Sequence, residues 1–489
     1  MLKIDFSAPH ALFSVAATRQ IEHAAQASLP PHTLMQRAGL SLAKLALALA
    51  PHAHRIWIAC GPGNNGGDGM EAAMHLQHWG KQPVVTWLAS ASEAPPDAEV
   101  SYQRALEAGV SFSPAPPDDF DFCIDALLGI GSPLREPEGR LADWIGLINA
   151  SHRPVLAVDL PTGLHADTGA VTQLSVQATH TLSLLTLKPG LFTAQGRDAA
   201  GSVWLADLDV DHPPAGAQAP LAPSAWLAGA SPATPRLHAS HKGSYGDVAV
   251  VGGAPGMTGA ALLAASAALH AGAGRVFVGL LDGVTLSVDI NQPELMFRPV
   301  DALDLSAMTV VCGCGGGDAV HTQLFKVLST IAPVVIDADA INIIANDIQL
   351  QALLSARSQR NAATVLTPHP LEAARLLGTS APQVQHDRLA AAQLLARRFG
   401  CTIVLKGSGT IIAAPGQIPV INPTGNARLA TAGTGDVLAG MVGAGLAAGL
   451  DAFEAACQAV YRHGQAADEW PRSRALIASE LARHGEATP

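Results

Sequence analysis

The chain has 489 residues, enough for two ordinary domains, and its 48% hydrophobic and 14% charged residues suit α/β units with sizeable cores. A formal net charge of −11 argues against general affinity for nucleic acid or anionic membrane. The N-terminus carries Asp5 and no long apolar run, and the longest apolar stretch, around 260–281, is broken by His270, Arg275 and glycines, so neither a secretory signal nor a membrane span is expected. The six cysteines, at 60, 123, 312, 314, 401 and 457, are scattered and are expected as buried free thiols of a reducing, cytoplasmic compartment.

In chain order, residues 18–50 carry apolar positions at helical spacing. Arg55–Cys60 (RIWIAC) is a short apolar strand running into GPGNNGGDG (61–69), expected as a loop that wraps a ligand with its backbone amides, and a helix follows. Further strands lie at PVVTWLA, FDFCIDALLGIG and PVLAVDLPTG. Strands alternating with helices predict a parallel sheet covered on both faces, with ligands bound beyond the carboxyl ends of the strands. Around 211–240 Pro, Ala, Ser and Gly dominate without a sustained period, which reads as a linker. A second α/β domain restarts at DVAVVG (247–252), with later strands at RVFVGLL, MTVVCG, PVVIDA, ATVLTP and CTIVLKG and a helical close over roughly 434–470.

In the first half, Asn65, Asp125 and Thr162 offer one charged and two neutral oxygens at three strand ends, a set suited to a monovalent cation. The alternative is that Asp125 and Asp159 merely cap helices or turns. In the second half nearly every strand ends in small, polar or charged residues: Asp337 and Asp339, Thr367 to Pro370, and Lys406 to Thr410. Taken singly, His369 could be a turn residue, Lys406 a solvated lysine and Asp337 a helix cap. The segment NARLATAGTGDVLAG (426–440) puts Gly433 and Gly435 before an apolar helix, so the amides of Thr434, Gly435 and Asp436 would face an anion. Asp436 beside that hole either takes a proton from a hydroxyl that attacks a phosphoryl group or is an ordinary acidic residue of a first helical turn.

GPGNNGGDG, DALLGIG and DLPTG, in that order after an LMQRAG helix, resemble the epimerase domain of bifunctional NAD(P)H-hydrate repair enzymes. The resemblance implies a Rossmann-like three-layer domain over 1–212. By motif it implies potassium ligands at Asn65, Asp125 and Thr162, and hydrated-nucleotide contacts at Asn64, Asn65, Gly66, Gly67 and Asp68. Further contacts would lie at Gly129, Ile130, Gly131, Ser132, Pro133, Leu134 and Arg135, with Asp159 as the carboxylate acting in epimerisation. One acid/base group and a rigid anion-holding loop would suffice for that reaction. Thr162 stands where the family usually has Ser, and Met74 where an Arg is common.

KGSYGDVAVVGG, VIDADAIN, LTPHPLEAARLL, VLKGSGT and the 426–440 segment resemble the ribokinase-like, ADP-dependent dehydratase domain of the same family. This implies a second three-layer domain over 239–489 after a linker at 213–238. Ala260, Gly315, His369 and Asp436 match hydrated-nucleotide contacts, with Asp436 catalytic. Lys406, Gly407, Ser408, Gly409, Thr410 and Gly435 match adenine-nucleotide contacts. Implied too are ADP as co-substrate and hydrated NADH and NADPH as substrates; the phosphoryl chemistry implies a magnesium ion on the ADP phosphates, and flat Ala-rich helices are expected to support a homo-oligomer. Gly313-Cys-Gly-Gly-Gly replaces the usual Gly-Pro-Gly-Leu-Gly. The competing reading is an ATP-using vitamin kinase of ribokinase type fused to a non-catalytic nucleotide-binding module.

Overall fold

The computed structural model describes residues 1–131, 135–210, 221–230, 238–283 and 286–484. The chain divides into two compact units, one of residues 1–5 and 10–225, the other of residues 6–9 and 226–489. The described residues include no helix long and apolar enough to cross a membrane.

The first unit is built on strands β1 (Leu2–Lys3), β2 (Arg55–Cys60), β3 (Gln82–Trp87), β4 (Ser111–Ser113), β5 (Phe122–Ala126), β6 (Val155–Val158), β7 (His180–Leu184) and β8 (Ser202–Ala206). They lie in the order β1-β8-β7-β6-β5-β2-β3-β4, all parallel except β1, which runs antiparallel to β8. The strand period of two divides the core into layers. Ile56, Ile58, Cys60 and Ile124 face the apolar sides of α2 (Thr33–Leu49) and α3 (Asn64–His78). Trp57, Ala59, Cys123 and Ala157 face Trp144, Ile145 and Ile148 of α5 (Gly139–Ala150), while α1 (Val15–Ser28) and α4 (Pro96–Glu107) complete the named helices of this unit.

The expected ligand-wrapping loop at 61–69 is largely helix. From Asn64 onward the glycine-rich run belongs to α3. Its glycines serve close packing: a Cβ on Gly66 would sit 2.2 Å from the Gly61 carbonyl oxygen. Only a side-chain-free turn lets this helix start so tightly against the end of β2.

The second unit contains β9 (Ala225–Leu227), β10 (Asp247–Gly252), β11 (Arg275–Leu280), β12 (Met296–Phe297), β13 (Thr309–Cys312), β14 (Val334–Ile336), β15 (Thr364–Leu366), β16 (Thr402–Leu405), β17 (Ile411–Ala413) and β18 (Val420–Ile421). Their order is β12-β11-β10-β13-β14-β15-β16-β17-β18-β9, parallel from β12 to β16 and antiparallel at β17. Val248, Val250, Val276, Val278 and Val311 pack against α6 (Thr258–His270), α10 (Thr434–Ala447) and α11 (Ala452–Asp468). The opposite face, with Ala249, Val251, Val310 and Ile336, is buried as well. In chain order, α7 (Ala338–Asn346), α8 (Pro370–Leu377) and α9 (Arg388–Phe399) come between α6 and α10.

The stretch at 213–238 includes a strand, since Trp226 and Leu227 of β9 pair in parallel with Val420 and Ile421. The Ala-rich face of α6 buries Ala261, Ala264, Ala265 and Ala268 within this unit, so its flatness serves internal packing. Five of the six cysteines are buried and all six are free thiols.

Candidate functional site

Two sites stand at the carboxyl ends of the two sheets. In the first unit β2, β5, β6 and β7 are neighbours, so the segments leaving them converge on one side. They enclose a cavity of about 410 Å³ lined by Asn64, Asn65, Asp68, Gly129, Ile130, Gly131, Asp159 and Lys188 among others. Gly66 and Gly67 are not among its lining residues. Arg135 is exposed, and Ser132, Pro133 and Leu134 lie outside the described residues.

Asp159 leaves β6 with φ +68, a conformation costly for any residue but glycine. The strain is offset by bonds at both ends. Its amide donates to the Leu182 carbonyl at 2.8 Å, and its carboxylate accepts from the amides of Leu184 at 3.3 Å and Ile130 at 3.4 Å. It also accepts from the ammonium of Lys188, a residue with no solvent exposure. Lys188 directs its other two donors to the Leu184 carbonyl at 2.7 Å and Ser183 Oγ at 3.3 Å. Three acceptors for three N–H groups fix this lysine in place against Asp159. Nothing in the sequence marked Lys188, because a lone lysine before Pro189 looks like any surface lysine.

Behind this pair, Asp125 is fully buried and accepts from Thr162 Oγ1 at 2.7 Å, Thr162 N at 2.9 Å and Leu127 N at 3.2 Å. No basic group pairs with it among the described residues. Burial pushes its carboxyl up to about 6, although the Thr162 and Leu127 hydrogen bonds oppose this. Asn65 lies beside Gly129, where a Cβ would come 2.9 Å from Asn65 Oδ1, and its Nδ2 is buried without a partner. Asp68 is pushed well above the usual carboxylate range by burial and then by the charges of Asp159 and Glu22.

In the second unit β10, β13, β14, β15 and β16 are consecutive neighbours, and each sends a segment into the site. Gly315 follows β13 and packs on α6 so closely that a Cβ would lie 2.8 Å from Ala260 Cβ, bringing those two predicted contacts together. Asp337 follows β14 at the N-cap position of α7, but its side chain makes no capping bond. Its Oδ1 instead accepts from Lys406 Nζ at 2.8 Å and Thr367 Oγ1 at 2.7 Å. Lys406 is therefore no solvated lysine. Burial would lower its pKa, but the Asp337 and Glu372 charges and the Asp337 hydrogen bond carry it above its ordinary value. His369 caps α8: its Nδ1 accepts from Leu371 N at 3.1 Å, and its Nε2 meets Glu372 Oε1 at 3.2 Å.

The 406–410 turn is braced from below by the fully buried Arg388, which donates to the carbonyls of Leu405 and Lys406, each at 3.2 Å. Across from it Gly433 starts α10 at φ +89, and a Cβ on Gly435 would be 3.4 Å from Lys406 Nζ. The first amides of α10 thus open beside a lysine ammonium, which is a place for phosphate. Asp436 stands at the same helix start. Burial, then repulsion from Asp337, pushes its carboxyl up to about 7, with the Cys314 thiol and Lys406 pulling the other way.

One ligand-atom cluster of Cys314, Asp337 and Asp436 lies within 4.8 Å. It makes a poor magnesium cage. Burial holds the Cys314 thiol protonated, and Asp337 is already paired with Lys406. Replacing Lys406 by Met leaves the Asp337 charge buried and unpaired, and is expected to cost about 3–5 kcal/mol of the second unit's stability. A lower urea midpoint together with weaker ADP binding checks this; an unchanged midpoint contradicts it.

Residues 248–486 match the family model described as NAD(P)H-hydrate dehydratase, and residues 31–190 match that of the YjeF-related protein N-terminus. The chain is 36% identical to the bifunctional NAD(P)H-hydrate repair enzyme Nnr of Escherichia coli (strain K12), over 98% of this chain and 94% of that protein. It is 47% identical to the ADP-dependent (S)-NAD(P)H-hydrate dehydratase of Neisseria meningitidis serogroup B, over 52% of this chain and 86% of that one. A solved ADP/ATP-dependent NAD(P)H-hydrate dehydratase of Bacillus subtilis is 32% identical, covers 51% of this chain and 91% of its own, and has a TM-score of 0.44. Two separate family matches joined in one chain, and a relative aligned from end to end, place this chain in the family of bifunctional NAD(P)H-hydrate repair enzymes.

Proposed function

We propose that the chain returns hydrated NADH and NADPH to the working cofactors in two steps. The first unit interconverts the R and S forms of the hydrate, and the second dehydrates the S form with ADP, releasing AMP and phosphate. The observation that carries this reading is Asp436: a carboxyl raised to about 7 at a helix start, beside Lys406.

A carboxylate of that pKa is suited to take the proton of the ring hydroxyl as its oxygen attacks the β-phosphorus of ADP. The α10 amides and Lys406 stabilise charge on the phosphoryl oxygens, and AMP leaves. The ring nitrogen then expels phosphate, the adjacent carbon gives up a proton, and the ring double bond returns. Ala260, Gly315 and His369 are assigned to the hydrate, and Lys406, Gly407, Ser408, Gly409, Thr410 and Gly435 to the adenine nucleotide. Magnesium would come with the diphosphate, since the residues present make no cage for it. One AMP and one phosphate per restored dihydronicotinamide, with ADP and not with a vitamin substrate and ATP, is the expected stoichiometry. Phosphorylated vitamin as product would overturn it.

In the first unit the cavity residues Asn64, Asn65, Asp68, Gly129 and Ile130 are assigned to the hydrate, and Asp159 to proton transfer. Asn65, Asp125 and Thr162 would hold potassium. The fit rests on a fully buried Asp125 carboxylate that shares a hydrogen bond with Thr162 Oγ1 and has no basic partner among the described residues. A single formal charge among these ligands suits a monovalent ion. When bound, the ion would neutralise Asp125 and fix the Gly129 and Thr162 segments. The melting point of the wild type is expected to rise in KCl over tetramethylammonium chloride at equal ionic strength, and that of Asp125→Asn is not. An equal rise in both contradicts the assignment. The free thiols and the lack of a membrane-crossing helix among the described residues agree with a cytoplasmic enzyme.

A further inference from the structure

The first cavity holds a titratable group that the assignment above leaves unused. Glu22 lies on α1 and lines the same cavity as Asp159 and Lys188. Its helix is pinned there. Thr18, one turn earlier on the same face, is buried and shares a 2.7 Å hydrogen bond with Thr186, two residues from Lys188. The start of α1 is held too, by the Val15 amide donating to Asp167 Oδ1 at 2.8 Å. Glu22 is half-buried on this pinned helix and lines the cavity.

Resting on the epimerase reading of this unit, we propose that Glu22 is its second proton-transfer group, acting as acid on the ring hydroxyl while Asp159 acts as base. The two carboxyl groups have different surroundings. Asp159 accepts a hydrogen bond from the fully buried Lys188. Glu22 is raised above its ordinary range by burial first and by the Asp159 charge next, with His23, Lys188 and Arg19 opposing. A half-buried carboxyl without a basic hydrogen-bond partner among the described residues and a carboxyl bonded to a buried lysine are suited to different roles, acid for the first and base for the second.

In the forward step Glu22 gives its proton to the hydroxyl, the C–O bond breaks and water leaves, and the ring-nitrogen lone pair forms a C=N bond. Water then adds to the same carbon from the other face and passes a proton to Asp159. The net change moves one proton from Glu22 to Asp159, and solvent in the cavity returns it. The opposite conversion runs with the protonation states reversed. Lys188 is a positioning residue, acting only through Asp159.

The test uses the full chain without ADP, so that the second unit is idle, and follows the initial conversion of isolated R-hydrate to S-hydrate by chiral chromatography. Glu22→Gln is expected to lower kcat by roughly 10²-fold with KM changed less than about threefold. Because Glu22 must be protonated to act, wild-type kcat falls as pH rises through its pKa, and the Gln variant loses that fall. Glu22→Asp keeps the carboxyl and should keep the alkaline fall with a fraction of the rate. A Gln variant at wild-type kcat, a Gln variant that retains the alkaline fall, or an Asp variant as inactive as Gln each overturns the proposal. A wild type that converts neither epimer brings down the epimerase reading itself.

Discussion

Asp436→Asn is expected to lower ADP-dependent dehydration by about 10²–10⁴-fold, the usual worth of a positioned acid/base group. The replacement keeps the shape and removes the base. Asp436 is partly exposed at the helix start, so the change should leave folding and epimerisation intact. It relieves the repulsion with Asp337 that helps to raise Asp436. The wild-type pH profile has a fixed sign. Only the ionised carboxylate accepts a proton, so the rate climbs as pH passes about 7 and levels above it. The Asn variant should lose this limb along with the rate. Retention of a tenth of the wild-type rate with the limb intact would assign the proton transfer to another group.

Asp159→Asn should lower epimerisation by about 10²–10⁴-fold, and here stability falls as well. Lys188 has no exposure, and Asp159 is its only acidic partner among the described residues. Without it the ammonium stays buried beside neutral acceptors or loses its proton, a change of the kind that costs about 3–5 kcal/mol. The two effects separate in the double variant Asp159→Asn with Lys188→Met. Removing both charges is expected to restore most of the lost stability and none of the activity. In the presence of ADP, either variant should restore the S share of a hydrate mixture quickly and leave the R share to slow spontaneous exchange. Fast recovery of the whole mixture by Asp159→Asn would remove Asp159 from the reaction.

Much of this arrangement was legible in the chain because parallel sheets announce themselves. Short apolar runs such as DVAVVG and RIWIAC end in polar or glycine-rich residues, and topology places those ends side by side. The start of α10 was legible for the same reason, a glycine turn before an apolar helix. The run at 61–69 misled because glycine density ordinarily signals a loop. Here it answers to the lack of space between α3 and the end of β2. The Asp337–Lys406 pair joins residues 69 apart, and no local pattern encodes such a meeting. Lys188 and Glu22 were invisible for a related reason. Burial belongs to the packing of α1 over the segment after β7, and a single charged residue carries no sign of it.

The central claim is that one chain recovers both epimers through two separate sites. We would follow the dihydronicotinamide absorbance of a mixed hydrate preparation supplied with ADP, magnesium and potassium. The wild type is predicted to restore the whole mixture in one fast course, Asp436→Asn almost none of it, and Asp159→Asn only the S share. No recovery by the wild type with ADP, or full fast recovery by both variants, would contradict the account.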